Sequence, residues 1–88
     1  MINKNVKITN KLGLHARPAV LLVKTTSVFD CDIKIKREDI EVEGKSIMGI
    51  LMLAAGKGSV LSITCDGADE NEAMKKIIEL IESGFGEE

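Results

Sequence analysis

The sequence contains no tryptophan and no tyrosine, and its two phenylalanines are the only aromatic residues. Proteins that hold single-stranded nucleic acid stack its bases on aromatic rings along a cationic groove, and duplex binders neutralise phosphates with a basic stripe. Here 12 basic residues face 14 acidic ones, for a formal net charge of −2, and no basic block occurs. The composition therefore argues against nucleic-acid binding. No run approaches the roughly 18–20 apolar residues that span a bilayer. Met1–Asn10 alternates polar and apolar residues and lacks the apolar core of a signal peptide. These absences predict no membrane insertion and a cytoplasmic protein. The two cysteines, Cys31 and Cys65, form no CxxC or zinc spacing. They read as free thiols in a reducing compartment, Cys65 within the core, and no metal is expected. Gly56-Lys57-Gly58-Ser59 lacks the spacing of a nucleotide-binding loop, so no cofactor is expected either.

The chain is also short. Its 88 residues are read as a single domain spanning 1–88. A domain this small removes only about 60% of its unfolded surface from water. That leaves little room for a deep pocket and favours a function exercised at the surface.

Four segments alternate polar and apolar residues, the pattern of strands with one buried and one wet face. They are Ile2–Thr9 with Val6 and Ile8 on one side, Asp32–Lys36 with Ile33 and Ile35 inward, Ile40–Glu43 with Ile40 and Val42 inward, and Val60–Cys65 with Leu61, Ile63 and Cys65 inward. Helical spacing fills the intervals. In Ala16–Ser27, the residues Ala19, Leu22, Val23 and Thr26 share one face. A last helix is predicted to start at Asp69, whose carboxylate caps it, with Glu72 completing a capping box. Its buried stripe is Ala73, Ile77, Leu80 and Ile81, and Gly84-Phe85 reads as its stop. Ile47–Leu53 is apolar on every side of a short helix, so part of it must face solvent or a partner. The predicted class is α+β, in the order β-α-β-β-α-β-α, with the helices on one face of an open sheet.

One segment carries chemistry. In Gly13-Leu14-His15-Ala16-Arg17-Pro18-Ala19, the only histidine stands where a loop becomes a helix. Pro18 fits the first helical turn, where an N–H would have no intrahelical partner, and Gly13 permits a tight turn. The helix start favours an anion. An imidazole there can attack a phosphoryl group, and Arg17 can spread the product's charge through its planar fork. Position alone, however, favours an ordinary capping or surface histidine, and the adjoining arginine and proline weigh against that without settling the matter. Ser46, before Ile47-Met48-Gly49, reads first as a helix N-cap and second as a phosphorylation site, and the two roles are compatible. Ala16, Val20 and Lys24 lie on the face of the first helix opposite its core stripe. With Ile47, Met48 and Leu51 they form a candidate docking patch around His15.

Ile8-Thr9-Asn10-Lys11-Leu12-Gly13-Leu14-His15-Ala16-Arg17-Pro18-Ala19 resembles the active-site signature of the HPr family, the histidine-containing phosphocarriers of the bacterial phosphotransferase system. Lys45-Ser46-Ile47-Met48-Gly49 resembles that family's regulatory serine motif, and the likeness runs over almost the whole chain. The resemblance implies an open-faced β-sandwich, a four-stranded antiparallel sheet in the order 1-4-2-3 with three helices on one face. It implies that His15 takes a phosphoryl group, through Nδ1 and with help from Arg17, from phosphoenolpyruvate by way of Enzyme I. The group then passes to an Enzyme IIA domain for sugar uptake. Ser46 would be the substrate of HPr kinase/phosphorylase, weakening exchange with Enzyme I and promoting binding to a catabolite-control regulator. Such a protein is a stoichiometric carrier rather than an enzyme with a small-molecule substrate, and is expected to be a monomer. Leu12 departs from the family's sugar-branch pattern, and the segment Leu51–Gly58 and the tail Ser83–Glu88 resemble its nitrogen-branch members more closely. A nitrogen-branch regulatory carrier is therefore the second reading, and a binding module in which His15 is only a cap is the third.

Overall fold

The structure, a computed structural model, describes residues 1–86. The chain runs β1 (Ile2–Lys7), α1 (Ala16–Thr26), β2 (Asp32–Arg37), β3 (Ile40–Glu43), α2 (Ile47–Met52), β4 (Val60–Asp66) and α3 (Glu70–Glu82), closing on a 3-10 turn at Gly84–Gly86. This is the predicted order of elements. The four strands form one antiparallel sheet in the order β1-β4-β2-β3, as the family resemblance implied.

Alternation sorts the two faces of the sheet. Ile33 lies opposite Cys65 and Ile35 opposite Ile63 across β2 and β4, and all four side chains are buried. Leu61 and Val6 pair across β4 and β1 on the same side. The other face carries a polar ladder, in which the Asn3 amide donates to Ser62 Oγ at 2.9 Å and to Thr64 Oγ1 at 2.8 Å. One apolar face needs one cover, and the helices supply it. α3 packs against β1 and β4 through Ala73, Met74, Ile77 and Ile81. α1 contributes Ala19, Leu22 and Thr26, and α2 contributes Ile50 with Leu53 just beyond its end. Truncating a fully buried isoleucine such as Ile77 to alanine would cost about 2–5 kcal/mol.

Three expectations are corrected by packing. Ile40, expected inward, is 43% exposed, because it opens the edge strand β3 beside the β2–β3 turn and is flanked by a single strand. In α3, Met74 is fully buried while Leu80 is only half-buried, so the core stripe is shifted toward the helix start. Asp69 occupies the N-cap position of α3 but makes no side-chain cap bond. Its carboxylate instead accepts from the backbone N–H of Asp30 at 2.9 Å and of Cys31 at 3.0 Å. Those two donors sit in the α1–β2 loop, which has no ladder partner for them, and they win the carboxylate. The predicted stop of α3 holds: Gly84 has φ +70° and Phe85 folds back into the core.

Candidate functional site

His15 is the N-cap of α1, with extended backbone at φ −82° and ψ −172°. Its carbonyl accepts the first helical hydrogen bond, from Ala19 N–H at 3.0 Å, and its side chain is half-buried and makes no cap bond. The first-turn N–H groups of Ala16 and Arg17 have no carbonyl a turn earlier to pair with, and Pro18 has no N–H to leave over. Arg17 is exposed in the same turn. The helix thus begins with donors, a cation and an imidazole gathered within three residues.

The turn before His15 is itself held tightly. Asn10 is 4% exposed, and its side-chain amide donates to Gly13 O at 2.8 Å while Gly13 N–H returns to Asn10 O at 3.2 Å. Gly13 has φ +70°, and a Cβ there would come within 2.3 Å of Ala55 O and 2.7 Å of Gly56 Cα. Only glycine satisfies both the left-handed backbone and the close approach. The α2–β4 loop consequently lies directly against the His15 turn, and Leu14 N–H donates to Ala55 O at 2.8 Å.

Ser46 is the N-cap of α2 and accepts from Gly49 N–H at 3.1 Å through its hydroxyl oxygen. Its turn is moored to the far end of α1. Thr26, fully buried, donates to Gly44 O at 2.7 Å, and Lys45 Nζ donates to Phe29 O at 2.7 Å.

The candidate docking residues divide. α1 and α2 pack side by side, and Ala16, Val20, Ile47, Met48 and Leu51 are all exposed. Lys24 lies about 13 Å along the helix from His15 at 1.5 Å per residue. There it lines an open groove between α1 and α3 with Thr25, Val28, Phe29 and Leu80. Two residues left out of the patch belong with the exposed apolar surface: Leu12, 70% exposed three positions before His15, and Met52, 65% exposed. Leu12 was legible as an apolar residue in a polar loop, and Met52 as part of a helix apolar all round.

The strongest electrostatic perturbations lie elsewhere. Cys31 and Cys65 are both free and buried. Burial, reinforced by the neighbouring Asp69 carboxylate, pushes the Cys31 thiol up to about 12. Burial raises Cys65 as well. Neither thiol is poised as a nucleophile. The N–H groups of Asp30 and Cys31 hold the Asp69 carboxyl below its ordinary range, and Gly67 N–H does the same for Glu70. No cluster of three metal-ligating side chains occurs among the described residues, and none of their helices is long and apolar enough to cross a membrane.

Comparisons with known proteins point to one family and one fold. A family described as the PTS HPr component phosphorylation site matches residues 2–83. The phosphocarrier protein HPr of Neisseria meningitidis serogroup A is 47% identical over 87 residues, covering 99% of this chain and 98% of the relative. The crystal structure of an HPr from Thermoanaerobacter tengcongensis superposes with a TM-score of 0.96 at 46% identity, covering 100% of this chain and 99% of the other. A dimeric crystal form of HPr from the same organism gives a TM-score of 0.80 at 46% identity, covering 99% and 100% of the two chains.

Proposed function

The chain belongs to the HPr family of phosphotransferase-system phosphocarriers, and on that premise we propose that His15 is the residue that carries the phosphoryl group. The observation that supports this most is the position of the sole histidine, at the mouth of α1 with its side chain outside the helix and Arg17 in the first turn. The reacting atom is Nδ1, so the neutral ring keeps its proton on Nε2 and the attacking nitrogen has none to lose. The N–P bond forms as the bond from phosphorus to the donor's leaving group breaks. The product dianion lies against the first-turn N–H groups, with Arg17 spreading its charge. The reverse exchange hands the group on.

The donor in this reading is Enzyme I charged by phosphoenolpyruvate, and the acceptor is an Enzyme IIA domain serving sugar uptake. Both dock on the apolar surface formed by Ala16, Val20, Ile47, Met48 and Leu51, and Lys24, farther along α1, is a separate candidate contact. Incubation with Enzyme I and phosphoenolpyruvate should add one acid-labile phosphate to the intact chain. Its persistence in His15→Ala would sink the assignment. The nitrogen-branch reading rests on the segment Leu51–Gly58 and the tail, together with Leu12, which is exposed three positions before His15. Comparing phosphorylation rates with the Enzyme I of each branch separates the two.

Ser46 is the proposed regulatory site, a substrate of HPr kinase/phosphorylase. Phosphate there replaces a hydroxyl cap by a dianion next to exposed Ile47 and Met48, which repels an acidic partner and offers a catabolite-control regulator a new contact. Ser46→Asp should slow transfer from Enzyme I, and an unchanged rate would refute the repulsion. The proposed site of action is the cytoplasm, in keeping with two free thiols. A monomer is the proposed working form, and light scattering at working concentrations decides between it and a dimer like the Thermoanaerobacter form.

A further inference from the structure

The His15 turn leans on a segment that belongs to another element. α2 ends at Met52, Leu53 caps it, and the chain then reverses through Ala54 at φ +49°, a left-handed conformation that a non-glycine residue adopts only under constraint. Immediately beyond that bend, Ala55 O accepts Leu14 N–H at 2.8 Å, and Ala55 and Gly56 fill the space beside Gly13. The direction in which α2 ends therefore decides where the support for the turn stands. Leu53 and Ala55 are both buried, so the support is part of the core.

One side chain reaches the end of α2 from the sheet. Arg37, the last residue of β2, donates through its guanidinium to Leu53 O at 3.3 Å. Leu53 O is a carbonyl at a helix end, with no N–H a turn further on to take it. Ala54 N–H turns back instead to Leu51 O at 3.1 Å. Arg37 thus ties the sheet to the end of α2, and the end of α2 carries Ala55 to the turn. We propose that Arg37 is a positioning residue for phosphoryl transfer, acting through Leu53–Ala55 to hold the His15 turn in its transfer geometry. The inference rests on His15 being the phosphoryl acceptor. Arg37 is not in contact with the reacting group. Its effect is to keep the imidazole and the first-turn donors of α1 aimed together.

The test uses the full chain, Enzyme I and phosphoenolpyruvate. Arg37→Met keeps the aliphatic stem and removes the donor. It should lower kcat for phosphorylation about threefold to tenfold, the factor expected from loss of one ordinary hydrogen bond, as suits a contact as long as 3.3 Å. KM should stay unchanged, because the docking surface is untouched. Hydrolysis of the phosphorylated chain should quicken by a similar factor, since the group loses aligned donors. Arg37→Lys, which restores a donor, should recover most of both effects. A merely structural arginine would lower the melting temperature and leave kcat and hydrolysis alone, and that result overturns the proposal. Ala54→Gly provides an arm that does not depend on Arg37. Glycine relieves the left-handed strain, so the fold should melt no lower, yet the freed bend should still slow transfer. Unchanged transfer in Ala54→Gly also overturns it. A wild-type chain that takes no acid-labile phosphate, or a His15→Ala chain that does, would instead refute the reading of His15 itself.

Discussion

α1 and α2 both begin on a residue with extended backbone, yet they treat their first N–H groups differently. At α2 the Ser46 hydroxyl turns inward and accepts from Gly49 N–H, so the helix supplies its own anion-like partner. At α1 the His15 side chain makes no such bond. The conformation of its turn comes from outside, from buried Asn10 and from the loop at Ala55. A helix start that caps itself is stable and closed. One that is held by its surroundings keeps its donors for a ligand. The two candidate phosphorylation sites thus differ in what phosphate would meet: at His15 a place already prepared, at Ser46 a place already occupied.

The contrast can be broken most severely at His15. His15→Ala should abolish acid-labile phosphorylation outright and change thermal stability less than the loss of a true cap, as a melting curve beside the labelling assay would show. Next in size is the mooring of the Ser46 turn. Thr26→Val is nearly isosteric but leaves buried Gly44 O without its donor, which should cost about 1–3 kcal/mol in denaturant unfolding. Ser46→Ala removes only the self-cap and should cost about 1 kcal/mol. If Ser46→Ala proved silent while His15→Ala destabilised, the contrast between the two starts would be inverted.

α3 sharpens the comparison with a third arrangement. Its start is managed by carboxylates, Asp69 reaching to Asp30 and Cys31 and Glu70 to Gly67. Both carboxyls titrate below their ordinary values in the folded chain, so the folded state binds fewer protons than the unfolded one as pH falls. Their stabilising contribution is complete above the unfolded values near 4 and is lost as pH drops through the depressed folded ones. Unfolding between pH 5 and 2 should show this loss, and Asp69→Asn should flatten the profile. The smallest expected signal is chemical. With Cys31 raised to about 12 and Cys65 raised too, neither thiol should react with iodoacetamide at pH 8 until the chain is unfolded.

Much of this was legible in the sequence because it is local. Period-two alternation placed Ile33, Ile35, Leu61, Ile63 and Cys65 correctly, and Gly84-Phe85 marked the end of α3. The motif around His15, the serine before α2 and the family likeness were equally plain. What failed depended on neighbours distant in the chain. Asp69 followed by Glu72 predicts a cap, but donors 38 and 39 positions away claim its carboxylate. Ile40 obeyed the alternation rule and was exposed anyway, because its strand lies at the edge. Arg37 gave no signal at all: nothing in the sequence shows that the end of β2 meets the end of α2.

The polar ladder of Asn3, Ser62 and Thr64 has a practical consequence. Every residue proposed for transfer or docking sits on the helical side or at the turns, so the opposite side of the sheet is the molecule's neutral ground. Substitutions at such solvent-facing positions rarely change stability by more than about 0.5 kcal/mol. A fluorophore or a resin linker attached at exposed Asn5, paired with Ser62 on that face, would leave the helical side facing outward. It would present every immobilised copy to its partners in the same pose.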